Sequence, residues 1–183
     1  MATKSLLSIA EYAALDEPAG VRYELSEGEL IVSPSANYFH NRTRDLFNAR
    51  LRVYVDSKKL GGVVSEMDFQ LGEDTVRRPD IAFVSVARLE GVDLQRVPLA
   101  IAPDLTIEIV SPGDRAADLL LKVAQYLAAG TKAVWLLYSN PRLACRYLPG
   151  RLEPEVRSAQ AGHRFEEHEL LPGFQLTVAE IFE

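Results

Sequence analysis

The run PDLTIEIVSPGDRAADLLLKVAQYLAAGTKAVWLLYS, residues 103–139, constrains the fold more than any other part of the chain. Its first segment carries Leu105, Ile107, Ile109 and Val110, apolar and mostly β-branched, as a sheet interior requires. Its middle, Asp114 to Ala129, has the apolar spacing of a helix. Ser111, with Asp114 three residues on, is the expected N-terminal cap, and Gly130 is the expected C-terminal cap. The last segment, KAVWLLYS, is apolar on both faces. A strand, a helix and a doubly apolar strand predict a right-handed crossover between two parallel strands of a covered sheet. The expected class is therefore α/β, one mixed sheet with helices on it.

The flanking sequence fits around that unit. VRYELSEGELIVSP alternates about Ser26-Glu27-Gly28, so Val21 to Leu25 and Glu29 to Val32 predict a hairpin. Asn37 to about Lys59 predicts a long helix with Phe39, Leu46, Phe47, Leu51, Tyr54 and Val55 along one side, ended by Gly61-Gly62. GGVVSEMDFQL and PDIAFVSV predict strands, and residues 86–103 an irregular segment with a helical turn. RLACRYL and HRFEEHELL predict edge strands, and Thr177 with Glu180 caps a last short helix. MATKSLLSIAEYAAL, with Glu11 inside its apolar patch, suits a short amphipathic helix better than a signal peptide. With no repeat and no linker, one domain over residues 1–183 is expected.

Composition narrows the function. Hydrophobic residues at 48% and charged residues at 25% argue against disorder. No apolar run approaches the roughly 20 residues that cross a bilayer, so no membrane partner is expected and a cytoplasmic location is the default. A single cysteine, Cys145, rules out an internal disulfide or a cysteine zinc site. The net charge of −6 disfavours a general coating of phosphates, yet a nucleic-acid enzyme needs acids at its metal site and only a local basic track.

Glu108 is the anomaly in the apolar strand, because a buried carboxylate is costly without a partner, a metal or a proton. A second acid, Asp80, opens the strand that continues with Ile81, Ala82, Phe83 and Val84. Side chains alternate along a strand, so Asp80, Ala82 and Val84 share one face, and Thr106, Glu108 and Val110 share another. If the two strands are neighbours, the acids meet. Two close carboxylates repel unless one binds a proton or both bind a cation. Oxygen ligation of this kind suits Mg²⁺ or Mn²⁺.

The ordered blocks RYELSEGELIVSP, His40 at the head of a helix, RRPDIAFV, PDLTIEIVSPGDRAADLLLKVAQYLAAGTKAVWLL and LPGFQLTVAEIF resemble the Uma-two family of the PD-(D/E)XK nuclease superfamily. The resemblance covers nearly the whole chain. It implies a restriction-endonuclease-like fold, a central mixed sheet flanked by helices, and metal-dependent cleavage of DNA phosphodiester bonds, with a homodimer as the expected assembly. The superfamily pattern has a lysine two positions after the Glu, where this chain has Val110. At about 100° per residue, Arg115, Asp118, Lys122, Gln125 and Tyr126 fall within one arc of the following helix. Lys122 is the mid-helix cation of that stripe, and a lysine migrated to this helix is also what the resemblance implies.

The resulting assignment makes Asp80, Glu108 and Lys122 catalytic, with the metal on Asp80, Glu108 and the backbone carbonyl of Ile109. Glu24, His40 and Gln125 are accessory candidates. Arg42, Arg44, Arg50 and Arg52 on the long helix, and Arg77 and Arg78 before Asp80, are candidate phosphate contacts. Each residue also has a plainer reading. Asp80 is a strand-start residue, Glu108 pairs with an arginine, and Lys122 pairs with Asp118 on an exposed helix face. His40 caps or packs, Glu24 is solvated, and the helix arginines form a solvated face with Asp45 and Asp56. Two other functions fit the same residues: a non-catalytic nuclease-fold protein for nucleic-acid binding or assembly, favoured by Val110, and a hydrolase of another phosphoester.

Overall fold

The computed structural model describes residues 6–183. In chain order the elements are α1 (Ile9–Ala13), β1 (Val21–Ser26), β2 (Glu29–Pro34), α2 (Tyr38–Lys58), β3 (Gly61–Val64), β4 (Phe69–Gln70) and β5 (Val76–Arg77). They continue with β6 (Ile81–Ser85), α3 (Val86–Leu89), β7 (Leu105–Val110), α4 (Ala116–Ala128), β8 (Ala133–Tyr138) and β9 (Leu143–Tyr147). The chain closes with β10 (Glu155–Ser158), β11 (Arg164–Glu166), β12 (Gln175–Thr177) and α5 (Val178–Ile181).

The central sheet has six strands in the order β10-β9-β8-β7-β6-β3. β7 and β8 pair in parallel through α4, while the other pairs in this sheet are antiparallel. The expected crossover is thus the centre of the sheet, and the strands either side of it make the sheet mixed. A four-stranded sheet, β2-β1-β5-β4, and the β11-β12 pair lie outside it.

Strand alternation sends the two faces of the central sheet to different helices. Ile81, Phe83, Leu105, Ile107, Trp135 and Leu137 pack with Phe47, Leu51 and Val55 of α2 and with Phe165 and Phe174. On the other face Val134 and Leu136 pack with Val123 and Tyr126 of α4, and Ala82 and Val84 with Phe69 and Leu99. Each large side chain buried in this way contributes about 1.5–3 kcal/mol before chain entropy is subtracted. Apolar burial on both faces therefore holds rigid the two strands that carry Asp80 and Glu108.

The helix ends follow from local chemistry. Asn37 accepts from the His40 N–H at 3.0 Å and so starts α2, while Lys59, in the left-handed region at φ 54°, ends it. Thr177 and Glu180 form the expected capping box on α5, and Ser8 with Glu11 forms another on α1. The first five residues of the predicted N-terminal helix lie outside the described residues.

Several sequence expectations are corrected. GGVVSEMDFQL is not one strand: Glu66 adopts φ 50°, and the chain passes from β3 in the central sheet to β4 in the smaller one. Asp114 does not begin α4. Its carboxylate accepts from the Ser111 N–H at 2.8 Å, closing a turn ahead of the helix, and Arg115 is the cap position with no side-chain bond. Phe39 is 75% exposed and so leaves the apolar side of α2. β11 pairs with β12, a strand that the sequence pattern did not suggest, and β10 is a further unforeseen strand at the sheet edge.

Candidate active site

β6 and β7 are neighbours, and the register Ile81↔Ile107 places Asp80 opposite Glu108 at the end of the ladder. One residue further on, Pro79 has no N–H to pair, and Asp80 Oδ2 accepts the Ile109 N–H at 2.7 Å instead. His40 Nε2, in the first turn of α2, lies 3.1 Å from the same oxygen, and Arg22 Nη2 lies 3.5 Å from Oδ1. The Asp80 side chain is almost fully buried.

Glu108 receives its partners from α4. Tyr126 Oη donates to Oε1 at 2.9 Å, and Lys122 Nζ lies 3.1 Å from Oε1 and 3.2 Å from Oε2. Lys122 and Tyr126 are four residues apart, so one helix face delivers both donors. Lys122 Nζ is also 3.1 Å from Glu24 Oε1, on β1. Glu24 is itself held by the Arg78 N–H at 2.7 Å and by Arg77 Nη1 at 3.2 Å. Lys122 thus turns to the buried Glu108 and the half-buried Glu24 rather than to Asp118, and Glu24 is no solvated strand residue.

These groups open onto one cavity of about 640 Å³. Its walls include Arg22, Glu24, His40, Asp80, Glu108 and Lys122, with Ile109, Arg77 and Arg78 also reaching it. Gln125 stands behind the wall, accepting from Arg77 Nε at 2.8 Å and donating to Ser26 Oγ at 3.0 Å.

The arginines chosen for phosphate contact have other partners. Arg77 is 4% exposed and bonded to Glu24, Ser26 and Gln125. Arg78 binds Asp68 and Glu17. Both hold internal carboxylates, so neither presents a free guanidinium to a phosphate. Arg42 and Arg50 donate to the backbone carbonyls of Glu183 and Glu180, and Arg44 binds Asp45 and Glu66. None of these three lines the cavity. Arg22 and Arg115 do: alternation along β1 puts Arg22 on the face of Glu24 and Ser26, where it pairs with Glu66 and Asp80, whereas Arg115 is exposed at the start of α4. Tyr126 lay within the polar arc of the helix without being recognised as a partner of Glu108.

The electrostatics follow from burial among like charges. Burial raises the Glu108 carboxyl to about 7; Asp80 and Glu24 add to the rise, and Lys122 and Tyr126 oppose it. Burial also opposes ionisation of Asp80, yet His40 and the Ile109 N–H hold it below the ordinary carboxylate value. Glu24 is likewise lowered against burial by Lys122, Arg77 and the Arg78 N–H. For Lys122 burial favours the neutral amine, but Glu108 and Glu24 prevail and push it above the usual value. At neutral pH the site holds a fixed cation, two ionised acids and a third acid poised near half ionisation.

The oxygens able to hold a hard cation are those of Asp80, Glu108 and the Ile109 carbonyl. In an extended strand a residue's C=O points to the same side as its N–H, here the side of Asp80. Among the described residues no cluster of three or more His, Cys, Asp or Glu side chains is arranged for a metal. Two carboxylates and a backbone carbonyl suit Mg²⁺ or Mn²⁺, since Mg²⁺ keeps several waters and needs few protein ligands.

The sequence model of a family described as "Putative restriction endonuclease", Uma2, matches residues 9–179. A solved structure described as "a putative nuclease belonging to DUF820" from Anabaena variabilis matches with a TM-score of 0.85 and 21% sequence identity, covering 96% of this chain and 97% of that chain. At that identity the likeness concerns the fold, which is restriction-endonuclease-like. No curated protein matches the chain.

Proposed function

The chain belongs to the Uma2 family of restriction-endonuclease-like proteins, and from that premise we propose that it is a metal-dependent endonuclease hydrolysing DNA phosphodiester bonds in the cavity between β1, β7 and α4. The observation that carries the reading is the convergence of Lys122, Glu108 and Glu24. The lysine stands 3.1 Å from each glutamate, although α4 and β1 are far apart in sequence.

Asp80, Glu108 and the Ile109 carbonyl would hold the Mg²⁺ or Mn²⁺. When bound, such a cation polarises the scissile phosphate and makes water a better nucleophile. Lys122, kept charged by its two glutamates, offers N–H donors to the attacking water or to the charge that builds on the phosphate oxygens. Glu24 holds that ammonium in place, and Arg77 and the Arg78 N–H hold Glu24. His40 and the Ile109 N–H fix the carboxylate of Asp80. Arg22 of the cavity wall is ion-paired to Glu66 and Asp80, so Arg115, exposed on that wall with no carboxylate partner among the described residues, is the arginine free to meet substrate charge. A homodimer acting on both strands and a cytoplasmic setting belong to the same reading. Among the described residues no helix is long and apolar enough to cross a membrane.

A second reading, a nuclease-fold protein that binds without cutting, is favoured by Val110, which puts an apolar side chain where the superfamily carries its lysine. Incubation of supercoiled plasmid and of single-stranded DNA with Mg²⁺ or Mn²⁺ separates the two. The nuclease reading expects cleavage by the wild type and none by Asp80→Ala. Uncut DNA with retained binding would favour the second reading.

A further inference from the structure

Tyr126 is fully buried, its ring packed in the cluster of Val123, Val134 and Leu136. Its one polar side-chain atom, the hydroxyl, donates to Glu108 Oε1 at 2.9 Å. Lys122 Nζ lies 3.1 Å from that oxygen but donates its hydrogen bond to Oε2, at 3.2 Å. The two oxygens of one carboxylate are therefore unequal: Oε1 is held by a fixed, buried phenol hydroxyl, and Oε2 by a lysine that it shares with Glu24.

Resting on the assignment of Asp80 and Glu108 as the cation site, we propose that Tyr126 is a positioning residue that ties up Glu108 Oε1. Glu108 then offers a cation Oε2 alone, in monodentate fashion. The consequence is selectivity among ions. Mg²⁺ demands near-octahedral geometry and suits a monodentate carboxylate, while Ca²⁺ accepts bidentate carboxylates and higher coordination numbers. A hydroxyl locked onto Oε1 therefore favours the smaller ions. Both oxygens become available when it is removed. Outer partners of ligating carboxylates typically change metal affinity by about 10–100-fold when lost.

The test is calorimetric titration of the full chain with Mn²⁺ and with Ca²⁺, for wild type, Asp80→Ala, Tyr126→Phe, Glu108→Gln and the Tyr126→Phe/Glu108→Gln double variant. Tyr126→Phe removes a single oxygen and keeps the ring in its cluster, and unfolding temperatures without cation report that the fold is intact. The expected result is a shift of about 10-fold or more in the ratio of the two constants toward Ca²⁺. In the Glu108→Gln background the tyrosine change should have no further effect. Unchanged constants, or equal losses for both ions, would overturn the role of Tyr126 while leaving the cation site standing. A wild type that binds no Mn²⁺, or an Asp80→Ala that binds it as well as wild type, would instead overturn the cation site itself.

Discussion

Lys122 Nζ lies 3.1 Å from Glu108 Oε1, yet the lysine is carried by the helix that follows the strand of the glutamate. On β7 the position two residues past Glu108 is Val110, on the same face of the strand. The ammonium reaches the carboxylate from outside the sheet, and the same approach brings it to Glu24. One cation thus serves the buried Glu108, which would otherwise lack a charge partner, and the half-buried Glu24, which Arg77 also holds.

Removing that cation should destabilise the fold as well as disable the site. In Lys122→Met, the buried Glu108 loses its charge partner, and the half-buried Glu24 is left with Arg77. Loss of one member of a buried pair typically costs about 3–5 kcal/mol. Chemical denaturation should show a loss of that order at pH 8, and millimolar Mg²⁺ should recover part of it by binding the folded state. An unchanged midpoint would mean that the pairing contributes nothing.

Glu108 predicts a pH dependence of opposite sign to that of an ordinary ion-paired acid. Its carboxyl is raised to about 7 from 4.5, so the folded state holds a proton that the unfolded chain has released. Stability from this group is complete below the unfolded value and is lost as pH rises through about 7. Glu108→Gln should therefore match wild type near pH 4.5 and become progressively more stable than it up to pH 7–8, in metal-free buffer. Parallel thermal melts from pH 4.5 to pH 8 read the difference directly. A constant offset would contradict the elevated carboxyl.

Much of this arrangement was legible in the residue pattern. The crossover at residues 103–139 fixes β7, α4 and β8, because hydrophobic periodicity reports which face of each element is buried. Glu108 stood out because a lone charge in an apolar strand needs compensation. The break at Glu66 was hidden, since a left-handed residue between two apolar stretches leaves their composition unchanged. The commitments of Arg77 and Arg78 were hidden for a different reason. Their partners Glu24, Gln125, Asp68 and Glu17 come from several elements, and only tertiary packing shows that internal carboxylates reach these guanidiniums before a phosphate can. Tyr126 fell on the polar arc of the helix, but helical spacing does not tell which acid a hydroxyl on that arc will meet.

Gly61 supports the strand next to Asp80 through a close backbone approach. A Cβ at this position would lie 2.0 Å from the carbonyl oxygen of Val84 on β6. Gly61→Ala should cost about 1–3 kcal/mol or more, since overpacking against backbone has little room to relax. Gly62→Ala, where nothing lies within 4 Å, is the matched control and should be near neutral. Equal denaturation midpoints for the two variants would argue against the β3–β6 register.

Substrate binding should distinguish arginines by position. Arg115 is exposed on the cavity wall with no carboxylate partner among the described residues, whereas Arg42 reaches the carbonyl of Glu183 away from it. In fluorescence anisotropy with labelled DNA and Ca²⁺, Arg115→Ala should weaken binding and flatten the slope of log K against log salt by about one. Arg42→Ala should change neither. The reverse pattern would move the DNA track to α2.

On the proposed function, Lys122 performs from α4 the task that the PD-(D/E)XK pattern gives to a strand lysine. The most direct test of this role is the single-turnover rate of plasmid nicking in Mn²⁺ for wild type, Lys122→Met and the double variant Val110→Lys/Lys122→Met. A lysine at residue 110 shares a face with Glu108, so it returns an ammonium to the acids by the other route. The account predicts at least a 100-fold loss in Lys122→Met, in line with loss of a charge-stabilising donor, and partial recovery in the double variant. Wild-type nicking by Lys122→Met would contradict it.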